Sequence, residues 1–107
     1  MALKTIDNPG VAWQEHIVNV PPLCPRTGNP VEGSTITIGY QPDTRLLEVY
    51  SLRDYIAGFA GSESVRDLEQ LICVVAHDCR LALGVPVVVQ GNFVLHIGQT
   101  VICKIWN

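Results

Sequence analysis

One stretch limits the fold more than any other. Between residues 64 and 83 apolar side chains recur at Leu68, Leu71, Ile72, Val75, Cys79, Ala82 and Leu83, which is the spacing of a single stripe along an α-helix. Ser64 and Asp67 stand three apart as a capping box before it, and Gly84 followed by Pro86 ends it. A helix with one apolar stripe must lay that stripe on something, and the runs on both sides of it are β-rich. Upstream, VAWQEHIVNV (11–20), STITIGY (34–40) and the shorter RLLEVY (45–50) read as strands; downstream, VPVVV (85–89), FVLHI (93–97) and TVICKIW (100–106) read as one or two strands around Gly91-Asn92, with a turn or bulge near Gly98. A shorter helix over 52–60 carries Leu52, Tyr55, Ile56 and Phe59 at helical spacing, with Ser51 as its expected N-cap and Gly61 as its stop. The coarse order is ββααββ. Strands on either side of a helical pair predict an α+β domain, with two helices on one face of an antiparallel four-stranded sheet.

The chain has 107 residues, enough for a single domain over 1–107. Its charged fraction is 16% against roughly 25% in an ordinary soluble domain. So few charges, together with a sheet that keeps one open face and two edges, predict apolar surface covered by other subunits. No run of 18 apolar residues is present, so no transmembrane helix and no membrane partner is expected. Met1 to Gly10 lacks a charged start followed by an apolar stretch, so no secretion signal is expected and the chain reads as cytoplasmic. The net charge of −3 and the lack of a Lys/Arg cluster give no case for a nucleic-acid groove on one chain.

Four cysteines, Cys24, Cys73, Cys79 and Cys103, form no CxxC pair and are expected as reduced thiols. Cys73 and His77 are i and i+4 on the long helix, but further ligands at metal spacing are missing. The segment therefore reads as core and polar face, and no metal is expected. Cys24 differs from the others. It lies in LCPRTGNPVEG (23–33), a loop held in shape by Pro25, Gly28 and Pro30, where a thiol is accessible and fixed in place. A thiolate there is suited to attack on an electrophilic carbon, with Glu32 as a nearby proton source; the alternative is a small hydrophobe filling a loop corner. Glu48, where a strand meets a helix, suits the N–H groups of a planar ligand or is simply a solvated charge. Asp67 reads first as part of its capping box. His16 and His96 read as isolated histidines in strands.

Cys24-Pro-Arg-Thr-Gly-Asn-Pro30, Glu32, the run from Thr35 to Asp43, and Glu48-Val-Tyr-Ser-Leu-Arg-Asp-Tyr55 together resemble the QueF family of NADPH-dependent 7-cyano-7-deazaguanine reductases. The resemblance covers about residues 23–67; beyond it only Gly91-x-Phe93 and the strand order agree. It implies the tunnelling fold, a ββααββ unit assembled into ring barrels with active sites at subunit interfaces. By position it makes Cys24 the nucleophile that forms a thioimide with the nitrile carbon. Glu32 becomes the acid, one residue beyond the family's Asp, whose place is taken by Val31. Glu48, Ser51, Arg66 and Asp67 become substrate-binding residues, and Tyr50, Arg53 and Tyr55 the NADPH-binding set. Tyr50 replaces a family Lys, Arg53 replaces another, and Arg66-Asp67 fall where the family has His-Glu. Reduction of 7-cyano-7-deazaguanine to the aminomethyl product is the first expectation. Short QueF-like relatives instead let ammonia attack the same thioimide and form the archaeosine amidine, with the nitrile carried in nucleic acid; this is the second. A non-catalytic oligomeric module that binds a purine-like ligand is the third.

Overall fold

The computed structural model describes residues 3–62, 64–65 and 67–107. The elements in chain order are β1 (Thr5–Asp7), β2 (Gln14–Asn19), β3 (Thr35–Tyr40), β4 (Arg45–Leu47), α1 (Val49–Ala57), α2 (Leu68–Leu83), β5 (Val87–Val94) and β6 (Thr100–Trp106). All strand pairs are antiparallel. β2-β3-β5-β6 form a four-stranded sheet, and β1-β4 form a separate two-stranded ribbon. Among the described residues the chain is therefore α+β with two helices, as its pattern of periods predicts.

The alternation of side chains sorts the large sheet into two faces. His16 lies opposite Ile38, Ile38 opposite Val89, and Val89 opposite Ile105; all four point towards the helices. Ile36, Ile38, Tyr40, Val87, Val89 and Phe93 are buried there under the α2 stripe of Leu71, Ile72, Val75, Ala76, Cys79 and Leu83. Phe93 folds its ring back over Gly91, where a Cβ would come within 2.1 Å of the ring, so that position excludes a side chain. On the other face Trp13 lies against Gly39 in the same way, 2.8 Å from where a Cβ would stand. That face is open and carries Ile17, Ile102 and Trp106, each largely exposed. None of the helices among the described residues is long and apolar enough to cross a membrane.

Four local expectations are corrected. The N-cap of α1 is Glu48, not Ser51: Glu48 is extended (φ −79°, ψ 128°), and its carboxylate accepts the N–H groups of Tyr50 and Ser51. This choice ends β4 at Leu47, so the strand read over 45–50 is three residues long. The N-cap of α2 is Asp67 rather than Ser64, with its side chain accepting the Gln70 N–H at 2.6 Å. α1 stops at Gly58 in an ordinary right-handed conformation, three residues before Gly61. Downstream of α2, the one-strand alternative holds: β5 runs unbroken through Gly91-Asn92, and the turn expected near Gly98 falls at 95–99, where the Gly98 N–H (φ 80°) donates to Leu95 O. Gly84 does close α2, left-handed at φ 70° with its N–H on Arg80 O.

β1 was not expected. Its three residues pair with β4, and Arg45 explains why they stay. Its guanidinium donates to Thr5 Oγ1 at 3.0 Å and Thr5 O at 2.7 Å, and ion-pairs with Asp7. No hydrophobic period announces such a ribbon.

Candidate functional site

The loop that carries Cys24 is built from its own backbone outwards. Cys24 O accepts the N–H of Gly28 at 2.9 Å, and Gly28 takes the positive φ (69°) that closes this turn. Asn29 O accepts two N–H groups, Leu23 at 2.7 Å and Cys24 at 3.1 Å. Leu23 beside the cysteine is fully buried and roots the loop in the core, while the Cys24 residue itself is half-buried. At the far end Val31 N–H donates to Val94 O at 2.8 Å. Ser34, buried, accepts the Val94 N–H with its hydroxyl and donates the same hydroxyl to Val31 O. The nucleophile candidate thus sits on a loop closed on itself and bolted to the end of β5.

The bolt has a second part. The Asn29 side chain reaches the turn after β5: Oδ1 accepts the His96 N–H at 2.8 Å and Nδ2 lies 2.7 Å from His96 Nδ1. The backbone N–H can only donate, so it fixes which end of the amide is oxygen. Nδ2 must then donate to Nδ1, and the proton of the neutral imidazole lies on Nε2. Spacing alone presents His96 as an isolated strand histidine and gives Asn29 no role of its own. The two are 67 positions apart, and no sequence signal joins them.

The other three thiols sit in different surroundings. Burial, and then the Asp78 carboxylate, push Cys79 up to about 12, so it stays protonated in the core. Burial pushes the Cys103 thiol up as well, with Glu69 adding to it. Cys73 is exposed on α2. Among the described residues no group of three or more His, Cys, Asp and Glu side chains is arranged to hold a metal ion.

The expected substrate and cofactor residues separate. Glu32 is exposed on the Cys24 loop. Both Glu48 oxygens are engaged by the first N–H groups of α1, which hold its carboxyl below the ordinary glutamate value; the Tyr50 N–H contributes most. Ser51 is buried, and its hydroxyl is spent on donating to Glu48 O and accepting the Lys4 N–H. Asp67 is the α2 cap described above, and Arg66 lies outside the described residues.

Of the cofactor set, Tyr50 and Arg53 share the outer face of α1, with the guanidinium 5.3 Å from the ring centroid and its Nε on Asp54 at 3.0 Å. Tyr55 is on the other side. It is 8% exposed, its ring meets Phe59 edge-on, and its hydroxyl donates to Asp78 Oδ2 at 2.6 Å. Burial and that carboxylate raise its ionisation well above the ordinary tyrosine value. The three residues expected to hold NADPH therefore do not form one surface on the chain. Asp78, next to His77 on α2, is the partner that locks Tyr55 inside.

A cleft of about 570 Å³ runs between the outer edge of β2 and α1. His16, Asn19, Val20, Pro21, Leu52 and Arg53 are among its lining residues, so it follows the strand that leads into the Cys24 loop. His16 is buried at its floor. Its Nε2 pairs with Tyr40 OH at 2.9 Å, and Tyr40 OH also accepts the Leu47 N–H. Burial lowers the His16 ionisation below the ordinary histidine value.

No protein-family model matches the chain, and no curated protein matches it by sequence.

Proposed function

We propose that the protein is a nitrile-processing enzyme of 7-deazaguanine metabolism in which Cys24 adds to the nitrile carbon of 7-cyano-7-deazaguanine. The observation that carries this reading is the Cys24 loop. A half-buried thiol stands on a turn fixed by Gly28 and Asn29, and the strand that leads into this loop borders a cleft large enough for a bicyclic base. The sulfur–carbon bond forms as one carbon–nitrogen π bond opens, and the thiol proton ends on nitrogen, giving a thioimide. Reduction of that thioimide to the aminomethyl product with NADPH is the fate we put first, supported by Tyr50 and Arg53 on one exposed face. The second is attack by ammonia to give the archaeosine amidine. Tyr55, withdrawn into the core by Asp78, favours it. The substrate is the free base or the same base within nucleic acid.

The α+β chain is, in this reading, a ββααββ tunnelling-fold unit that works in the cytoplasm as a ring of identical subunits with active sites at their interfaces. The unpaired outer edges of β2 and β6 and the exposed Ile17, Ile102 and Trp106 support that assembly. Incubation with 7-cyano-7-deazaguanine, with either NADPH or an ammonium salt, tests the chemistry by the mass of the product. An aminomethyl product in the first sample supports reduction, and an amidine in the second supports ammonia attack. Reversible binding with the nitrile intact in both would leave a non-catalytic binding module instead.

A further inference from the structure

Asn29 touches both halves of the Cys24 site at once. Its carbonyl takes the N–H of Cys24, and its side chain takes the backbone N–H of His96 while donating to His96 Nδ1. One residue therefore sets the backbone of the nucleophile and the tautomer of an exposed imidazole tied to the same loop. The ring so held has a donor, Nε2–H, as its outward group.

We propose that His96 is the catalytic hydrogen-bond donor of the Cys24 site, placed and tautomerised by Asn29. This rests on the nitrile-adding reading above. In that step the electron pair of the opened π bond collects on the nitrile nitrogen. Nε2–H of His96 donates to that nitrogen while the proton released by the Cys24 thiol comes to rest there, so atoms and charge balance with no oxidant or reductant. A neutral imidazole acts here as an electrophile, and it costs least when its orientation is fixed before the substrate arrives. Glu32, exposed on the same loop, is not required for this role. Asn29 is a positioning residue: it meets neither reacting atom, and acts through His96 and the Cys24 backbone.

The test compares two reactions of the same thiol in the full chain. Addition to 7-cyano-7-deazaguanine places charge on a nitrogen, and alkylation by iodoacetamide does not. His96→Ala is expected to slow the nitrile adduct by about 100-fold, as loss of one such donor typically does, while leaving the alkylation rate of Cys24 within a factor of about two. Asn29→Asp is expected to keep the tether but pull the ring proton to Nδ1, leaving Nε2 an acceptor. The nitrile rate should then fall, and the ¹⁵N signals of the ring should exchange their protonated and unprotonated positions. Asn29→Ala reports the combined loss of tether and tautomer. If His96→Ala changes both reactions equally, or neither, His96 is structural or idle and the proposal is overturned. If the wild-type chain forms no nitrile adduct although iodoacetamide alkylates Cys24, the nitrile reading itself fails and this inference with it.

Discussion

The Cys24 loop and helix α1 carry parts of the same resemblance, yet they fare differently once their hydrogen bonds are followed. In the loop, the polar groups seen to hold the shape are backbone groups and the side chains of Asn29 and Ser34, neither of which the resemblance assigns a role. In α1, the matched residues are themselves the fasteners. Glu48 caps the helix, Ser51 ties Lys4 and Glu48 together, and Tyr55 anchors to Asp78. The lesson is that a residue type at the right spacing says what chemistry a position is capable of. What its donors and acceptors are already bound to says whether that chemistry is available.

The comparison can be broken most sharply at the cysteine. Cys24→Ala should abolish covalent capture of the nitrile altogether, while Cys73→Ala should not affect it; intact-protein mass spectrometry reads both. Next in size is Tyr55→Phe. If Tyr55 is a fastener, losing its bond to the Asp78 carboxylate should cost about 1.5–3 kcal/mol in urea unfolding, with no change in NADPH affinity measured by fluorescence. An unchanged stability and a weakened affinity would return Tyr55 to the cofactor set.

Ser34→Ala sharpens the other half of the comparison. It removes the acceptor of the Val94 N–H at the root of the Cys24 loop and should cost about 1 kcal/mol, with a slower nitrile adduct because the loop loosens. The smallest effect is at Glu48. Its carboxyl is held below its ordinary value of 4.5, so the stability it contributes is fully present above pH 4.5 and is lost as pH falls through the lower folded value. Thermal unfolding of wild type and Glu48→Gln, followed downwards from pH 7, should differ at neutral pH and converge in acid. Curves that stay parallel across that window would show that the carboxylate does not cap α1.

Much of the architecture was legible from periodicity. The α2 stripe, the alternation in β3 and the Gly84 stop each follow from one local rule, and the order of long elements follows from them. Helix starts were misplaced because Ser51 and Ser64 are good caps in isolation, and the choice between them and the nearby acids is made by where the preceding chain can stay extended. The ribbon β1-β4 was invisible because Arg45, not hydrophobic pattern, holds it. In the site, Cys24 stood out because its loop is defined by prolines and glycines close in sequence. The Asn29–His96 and Tyr55–Asp78 pairs were hidden because each joins positions far apart along the chain.

The most direct measurement is intact-protein mass spectrometry of the wild-type chain with 7-cyano-7-deazaguanine, with and without NADPH. A Cys24 nitrile-adding enzyme gains the full mass of the ligand at Cys24 without NADPH, and loses that adduct when NADPH reduces it. An adduct that persists with NADPH and disappears with ammonium keeps the central claim and exchanges the reaction. No adduct under any of these conditions, from protein whose Cys24 iodoacetamide still alkylates, would contradict it.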